Sequence, residues 1–296
     1  MTSSSAPLAD RVQPVAPTIQ MLPVRTPTLP PATHTNTFLV GTKEAVIIEP
    51  ATPYREEQDL MVEWVQGARL KGIEPVAILA THHHPDHVGG ARALRDRLEL
   101  PLWAHAMTAE RLDGIVDIDM LIQDGERIVL DGPAPTALTA LHTPGHAPGH
   151  LCFTDEATGI MICGDMVASV GTIIVEPYDG DMLLYIESLR KMASLEPEAL
   201  LPAHGEVIRQ PQVILNFYIE HRLMREKKVL DALESRGKPS RPRHLVAEAY
   251  ADTPKQLWPL ALRSIEAHLI KLEREGRIHK EAERWSPSSS RDMKPS

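Results

Sequence analysis

The run Thr81-His82-His83-His84-Pro85-Asp86-His87 packs His82, His84, Asp86 and His87 into six consecutive positions, an HxHxDH pattern. Imidazole nitrogens and carboxylate oxygens together are the donor set of zinc and other borderline divalent cations, so the spacing points to metal chemistry. A solvated histidine-rich turn is the alternative reading of the run taken alone. In an extended loop His82 and His84 point one way, while Asp86 and His87 serve a neighbouring position. Three more clusters of this character follow. His142-Thr143-Pro144-Gly145-His146-Ala147-Pro148-Gly149-His150 is a loop punctuated by Gly and Pro, Cys163-Gly164-Asp165 delivers a carboxylate, and Pro202-Ala203-His204-Gly205 delivers another imidazole.

Each cluster ends an apolar run that reads as a buried strand: residues 75–80, 137–141, 160–164 and 199–203. After the first cluster, residues 91–98 read as a helix, with Leu94 and Leu98 four apart on one face. Strand ends leading into helices are where open α/β folds place their sites. Four strand ends that each carry acidic or imidazole groups count strongly against a mere solvated turn.

In this order, HxHxDH at 82–87, TPGHAPGH at 143–150, CGD at 163–165 and PAHG at 202–205 resemble the metal motifs of the metallo-β-lactamase superfamily. Residues 35–41 and 180–189 extend the likeness. His221 to Glu226 and the segment from Val246 to Ile278 resemble the lactamase-β-like endoribonucleases that carry a C-terminal winged helix. The resemblance spans residues 35 to 280 and implies an α/β fold, an αββα sandwich followed by a small winged-helix domain.

It also implies a ligand set. His82, His84 and His146 would hold one metal, Asp86, His87 and His204 a second, and Asp165 would bridge them. Zinc is the first choice, two per chain, with iron or manganese left open by ligand type. A glutamate at position 84 would have indicated the di-iron flavoprotein branch; the histidine there argues for hydrolysis. A water shared by two cations is acidified toward neutral pH, so the implied nucleophile is a bridging hydroxide, with Asp86 as the catalytic residue that orients it.

The remaining histidines carry less. His83 sits at the variable position of the motif and is expected to face away. His105, His142 and His150 are either structural or partners that fix ligand tautomers. His34, His221, His244, His268 and His279 fall outside the matched positions, and Asp124 before Gly125 reads as turn chemistry. One departure from the family is visible: Glu49-Pro50 stands where many relatives have an aspartate and a small residue behind the metal loop, which questions the support of that loop.

Composition bounds the rest. The chain has 296 residues, 43% of them hydrophobic, enough for one large core and a small second one. Without a basic-then-apolar leader or a long apolar run, a cytoplasmic protein is the expectation. Cys152 and Cys163 lie in strand-like apolar runs and read as buried free thiols. Residues 1–31 hold seven prolines and are expected to be flexible, with a first strand near Thr18 to Leu22. The catalytic domain is assigned to 32–218, the winged-helix domain to 219–285 and a disordered tail to 286–296. Helices are expected at 55–71, 211–236, 243–250 and 258–275.

Residues 1–218 carry 14 Lys and Arg against 28 Asp and Glu, whereas 219–296 carry 17 against 12. Polyanions prefer basic tracks, because phosphate neutralisation supplies most non-specific affinity. An acidic catalytic domain therefore favours acyl hydrolysis of a small-molecule thioester, ester or lactone, with a groove lined from 166–175 and 182–185. Cleavage of single-stranded RNA is the alternative, its surface offered by Arg241, Arg243, Lys255, Arg263, Lys271 and Arg277. The same exposed positions suit a homodimer. A binding protein that keeps the fold with a dead site is the third class, disfavoured because every expected ligand is present.

Overall fold

The structure, a computed structural model, describes residues 7–133 and 136–288. It resolves into two compact units: one of Met1–Thr143, Gly149–Ile173 and Glu196–Pro211, the other of Pro144–Pro148, Ile174–Leu195 and Gln212–Ser296.

The first unit is built on two sheets. Strands β1 (Gln13–Ala16), β2 (Ile19–Arg25), β3 (His34–Gly41), β4 (Glu44–Ile48), β5 (Glu74–Leu79), β6 (Leu102–Ala104) and β7 (Met120–Leu121) lie side by side in chain order. Pairing is antiparallel from β1 to β4 and parallel from β4 to β7. The second sheet joins β8 (Arg127–Leu130), β9 (Thr136–His142), β10 (Leu151–Asp155), β11 (Ile160–Gly164) and β12 (Ala199–Pro202) in reverse order, with only β11 and β12 parallel.

Period-two alternation explains why the sheets stack. Ile19, Met21, Phe38, Val40, Val46, Ile48 and Leu79 from the first sheet share one core with Leu138, Ala140, Leu151, Phe153, Ile162 and Leu201 from the second. Each large side chain so buried contributes about 1.5–3 kcal/mol over its exposed state. The opposite face of the first sheet, through Leu22, Val24, Leu39, Ile47 and Ile78, is covered by helices. After the short α1 (Leu8–Arg11) these are α2 (Arg55–Arg69), with Met61, Trp64 and Val65, and, beyond the one-turn α3 (Pro85–Val88), α4 (Ala91–Leu98), with Leu94 and Leu98. A fifth helix, α5 (Ala106–Leu112), follows β6.

The expected flexible segment at 1–31 requires correction. From Leu8 on it is structured, because Ile19 and Met21 alternate with Leu22 and Val24 and each pair fills a different core. The prolines do not prevent this, since Pro14 sits on the edge strand β1. Residues 1–6 of that segment lie outside the described residues, as do 289–296 of the expected tail; Ser286 and Pro287 close a strand instead.

In the second unit, α6 (Met182–Ser194) and the long α7 (Pro211–Ser235) precede the one-turn α8 (Val246–Ala249), α9 (Trp258–Arg274) and a hairpin of β13 (Ile278–Glu281) with β14 (Arg284–Pro287). The helix expected at 243–250 is instead a 3-10 turn at Pro242–His244, opened by Pro242 at its first position, followed by the one-turn α8. Ile265, Leu269 and Leu272 of α9 pack with Val229, Leu233, Leu245, Ile278 and Trp285, which is the winged-helix core. Among the described residues, no helix is long and apolar enough to cross a membrane.

His268 lies inside this unit, fully buried, with no hydrogen-bond partner on either ring nitrogen among the described residues. Burial, reinforced by the cations of Arg222 and Lys271, pushes its pKa down to about 3. Below the ordinary value of 6.5 the unfolded chain takes up a proton that the folded one excludes, so stability is lost as pH falls from 6.5 toward 3. Between pH 7.5 and 5.5 the loss from this residue is about 1.4 kcal/mol. Denaturant titrations of wild type and His268→Leu at both pH values should show the variant losing less stability on acidification, by about that amount; equal losses would refute the account.

Candidate metal centre

Three strand ends of the first unit carry the site. The loop after β5 holds Thr81, His82 and His84, and Pro85, at the first helical position, starts the single turn that carries Asp86 and His87. Asp165 follows β11, and His204 follows β12.

The side chains converge closely. His204 Nε2 lies 3.4 Å from Asp165 Oδ1 and 3.5 Å from Asp86 Oδ2. His87 Nε2 lies 3.6 Å from Asp165 Oδ2 and 3.8 Å from Asp86 Oδ1. The Asp165 carboxylate thus stands between two imidazoles, and Asp86, His87 and His204 gather ligand atoms within 4.8 Å of one another. His82 Nε2 and His84 Nδ1 are 3.0 Å apart, and the His82 and His87 rings have centroids 4.0 Å apart. His82 and His87 are fully buried, Asp165 and His204 nearly so.

Anchors behind the imidazoles fix their tautomers. Thr81 donates its hydroxyl proton to Glu49 Oε1 (2.6 Å), so its oxygen accepts from His82 Nδ1 (2.9 Å). His87 donates from Nδ1 to the same Glu49 oxygen (3.0 Å), and His204 donates from Nδ1 to the His34 carbonyl (2.9 Å). Each ring thereby turns its Nε2 lone pair toward the cluster. In the second unit, His146 is held in the same way, its Nδ1 donating to the Ile174 carbonyl at 2.8 Å.

The electrostatics ask for a cation. Burial resists charging His87, yet the carboxylates of Glu49, Asp165 and Asp86 outweigh it and raise its proton affinity well above the ordinary value. Burial likewise opposes charge on Asp165, but His87 and His204 hold its carboxyl well below the usual range. His87 Nε2 is buried with no hydrogen-bond partner among the described residues. Ligand atoms about 2 Å from a tetrahedral ion stand about 3.4 Å apart, close to the His204 and His87 separations from Asp165. The donor set therefore fits a divalent metal.

The other sequence candidates separate. Glu49, questioned as too long for its place, is the shared acceptor for Thr81 and His87. Its backbone adopts φ +68. His105 caps α5 and stacks on His142, ring centroids 4.2 Å apart. Asp124 sits in a turn with Gly125 at φ +77, as expected, and its carboxylate also accepts the distant His142 amide, while both cysteines are buried free thiols. The segments expected to line a groove divide: Met166, Val167, Met182 and Tyr185 are core residues, whereas Val170 is exposed. Exposed apolar side chains in the first unit near the site include Leu29, which follows a Thr28 whose hydroxyl is 3.4 Å from His204 Nε2, and Val170, which lies against Gly205. Sequence reasoning missed Thr81 and the carbonyls of His34 and Ile174; only the Thr81 hydroxyl, next to the motif, offered any signal.

The chain matches the metallo-beta-lactamase superfamily over residues 30–204 and belongs to it, which makes it by class a metal-dependent hydrolase. A second match, to the beta-lactamase associated winged helix domain, covers residues 242–285. It is 30% identical over 210 residues to a Beta-lactamase-like protein 2 homolog of Drosophila melanogaster, covering 68% of this chain and 69% of that one. To an atrochrysone carboxyl ACP thioesterase of Pseudocercospora fijiensis it is 32% identical over 251 residues, 82% of this chain and 71% of that one. Among solved structures, a beta-lactamase domain protein from Burkholderia ambifaria superposes with a TM-score of 0.80 at 21% identity, covering 97% of this chain and 96% of that one.

Removing the Glu49 carboxylate would strand two buried donors, Thr81 and His87. Glu49→Ala is expected to weaken divalent-metal binding about 10- to 100-fold in chelator competition; unchanged affinity would show that Glu49 only fills space.

Proposed function

We propose that this chain is a dinuclear zinc hydrolase acting on acyl substrates, a thioester, ester or lactone. The observation that carries the dinuclear part is the set of imidazoles whose Nδ1 atoms are each tied to an acceptor, leaving Nε2 for a metal. In this reading His82 and His84 would hold one ion, to which the family resemblance adds His146; Asp86, His87 and His204 would hold the other, and Asp165 would serve both. Two bound cations would supply an acidified water and a polarised scissile oxygen. Asp86, whose side chain is more exposed than those of His87, Asp165 and His204, orients the attacking water. Buried free thiols agree with a reducing, cytoplasmic setting.

Acyl substrates are favoured over RNA on two grounds. One relative bears the name of an acyl-carrier thioesterase. In addition, the basic residues that would have formed an RNA track are largely taken up. Lys271 is buried against Glu226 (2.5 Å), Arg277 bonds the same carboxylate (2.6 Å), Arg263 pairs with Glu176 and Arg241 with Glu283. Exposed Leu29 beside Thr28 offers an apolar rim where an acyl chain can lie.

Zinc-loaded protein should contain about two metal equivalents per chain by elemental analysis. It should hydrolyse members of an acyl-thioester panel, with activity abolished in His82→Ala and Asp86→Ala. Metal-dependent cleavage of a labelled single-stranded RNA, absent from His82→Ala, together with inert thioesters would overturn the acyl assignment. On the preferred thioester, Leu29→Glu should raise KM several-fold, on the order of 1 kcal/mol of lost apolar contact, while leaving kcat close to wild type.

A further inference from the structure

His150 is fully buried, yet it makes polar contacts on both ring nitrogens. Its Nε2 lies 3.1 Å from the backbone nitrogen of Asp165. An amide N–H only donates, so Nε2 is unprotonated and the ring proton sits on Nδ1, 2.8 Å from the Thr143 hydroxyl oxygen. That hydroxyl in turn faces Cys152 Sγ at 3.3 Å and the His150 carbonyl at 3.5 Å. The hydrogen bonds run in one direction, from the Asp165 amide through the imidazole to Thr143.

The neighbourhood is built around this ring. The β11–β12 register shifts between Ile162 and Gly164, just before Asp165. Gly164 has φ +47, and a Cβ there would stand 2.5 Å from His150 Nε2 and 3.1 Å from the Thr81 hydroxyl oxygen. Thr81 Oγ1 is the same oxygen that accepts from His82. Only glycine lets the strand end approach the imidazole this closely.

We propose that His150 is a positioning residue, whose bond to the Asp165 amide sets the backbone angle at which the Asp165 carboxylate faces both His87 and His204. The claim rests on the reading of Asp165 as the bridging ligand. It assigns to His150 a polar, directional role that an apolar core residue of similar size cannot fill.

Full-length wild type, His150→Leu, His150→Gln and Thr143→Val would be compared by competition with a chromophoric chelator for Zn2+, by the absorption bands of the Co2+-loaded proteins, and by thermal unfolding without metal. His150→Leu is expected to bind metal about 10- to 100-fold more weakly and to change the cobalt spectrum. His150→Gln, whose amide oxygen can accept from Asp165, should recover most of the affinity although its metal-free stability is no better than that of the leucine variant. Thr143→Val, which keeps the ring but frees its tautomer, should weaken binding by a smaller factor and covers the case in which His150→Leu does not fold. Wild-type affinity in His150→Leu or Thr143→Val, or no advantage of Gln over Leu, overturns the proposal. A wild-type chain that takes up no divalent cation would defeat the metal reading itself, and the positioning role with it; two equivalents in wild type with unaltered variants would defeat the positioning role alone.

Discussion

Imidazoles and carboxylates buried within 4 Å of each other are costly unless every proton and lone pair has a partner. At this centre the partners come from two sides. Below, Glu49, the Thr81 hydroxyl and the His34 carbonyl hold the Nδ1 edges of the rings. Above, the ring Nε2 atoms and the Asp165 carboxylate face one another at distances too long for good hydrogen bonds, which leaves a place for a cation.

The two-sheet architecture exists in a form that meets this requirement. The parallel β4–β5 pair puts Glu49 directly behind the histidine loop, since both strands run out at the same edge. The parallel β11–β12 pair brings Asp165 and His204 out together at the matching edge of the second sheet. The inter-sheet core, from Phe38 and Leu79 across to Phe153 and Leu201, holds those two edges at a fixed spacing, and close-packed interiors deform little. Precision at the site is therefore a property of the core, because ångström-scale drift would unpair groups that cannot reach water.

Much of this was legible in the residues. The strands ending in His82, Asp165 and His204 follow from apolar runs stopped by polar groups, and α9 follows from the spacing of Ile265, Leu269 and Leu272. The order at the N-terminus was legible only in part: the strand expected near Thr18 to Leu22 is β2, but the structure around it was not foreseen. Proline content suggested a flexible lead, whereas burial of Ile19, Met21, Leu22 and Val24 on two faces of one strand outweighs that local preference. The groove was legible only in part: Met166 and Met182 are apolar like Val170 in the same stretches, and only packing separates the two core methionines from the exposed valine.

The sequence by itself determined the donor types, their order along the chain, the hydrolytic class and the winged-helix pattern, because these depend on side-chain chemistry and short-range period. The tertiary structure alone decided how Glu49 serves the site, which acceptors fix the ring tautomers, and that the basic residues of the winged helix are largely held in ion pairs. The reason is physical. A backbone carbonyl such as that of His34 accepts from His204 across 170 positions, and every residue carries the same carbonyl, so no residue type announces the contact.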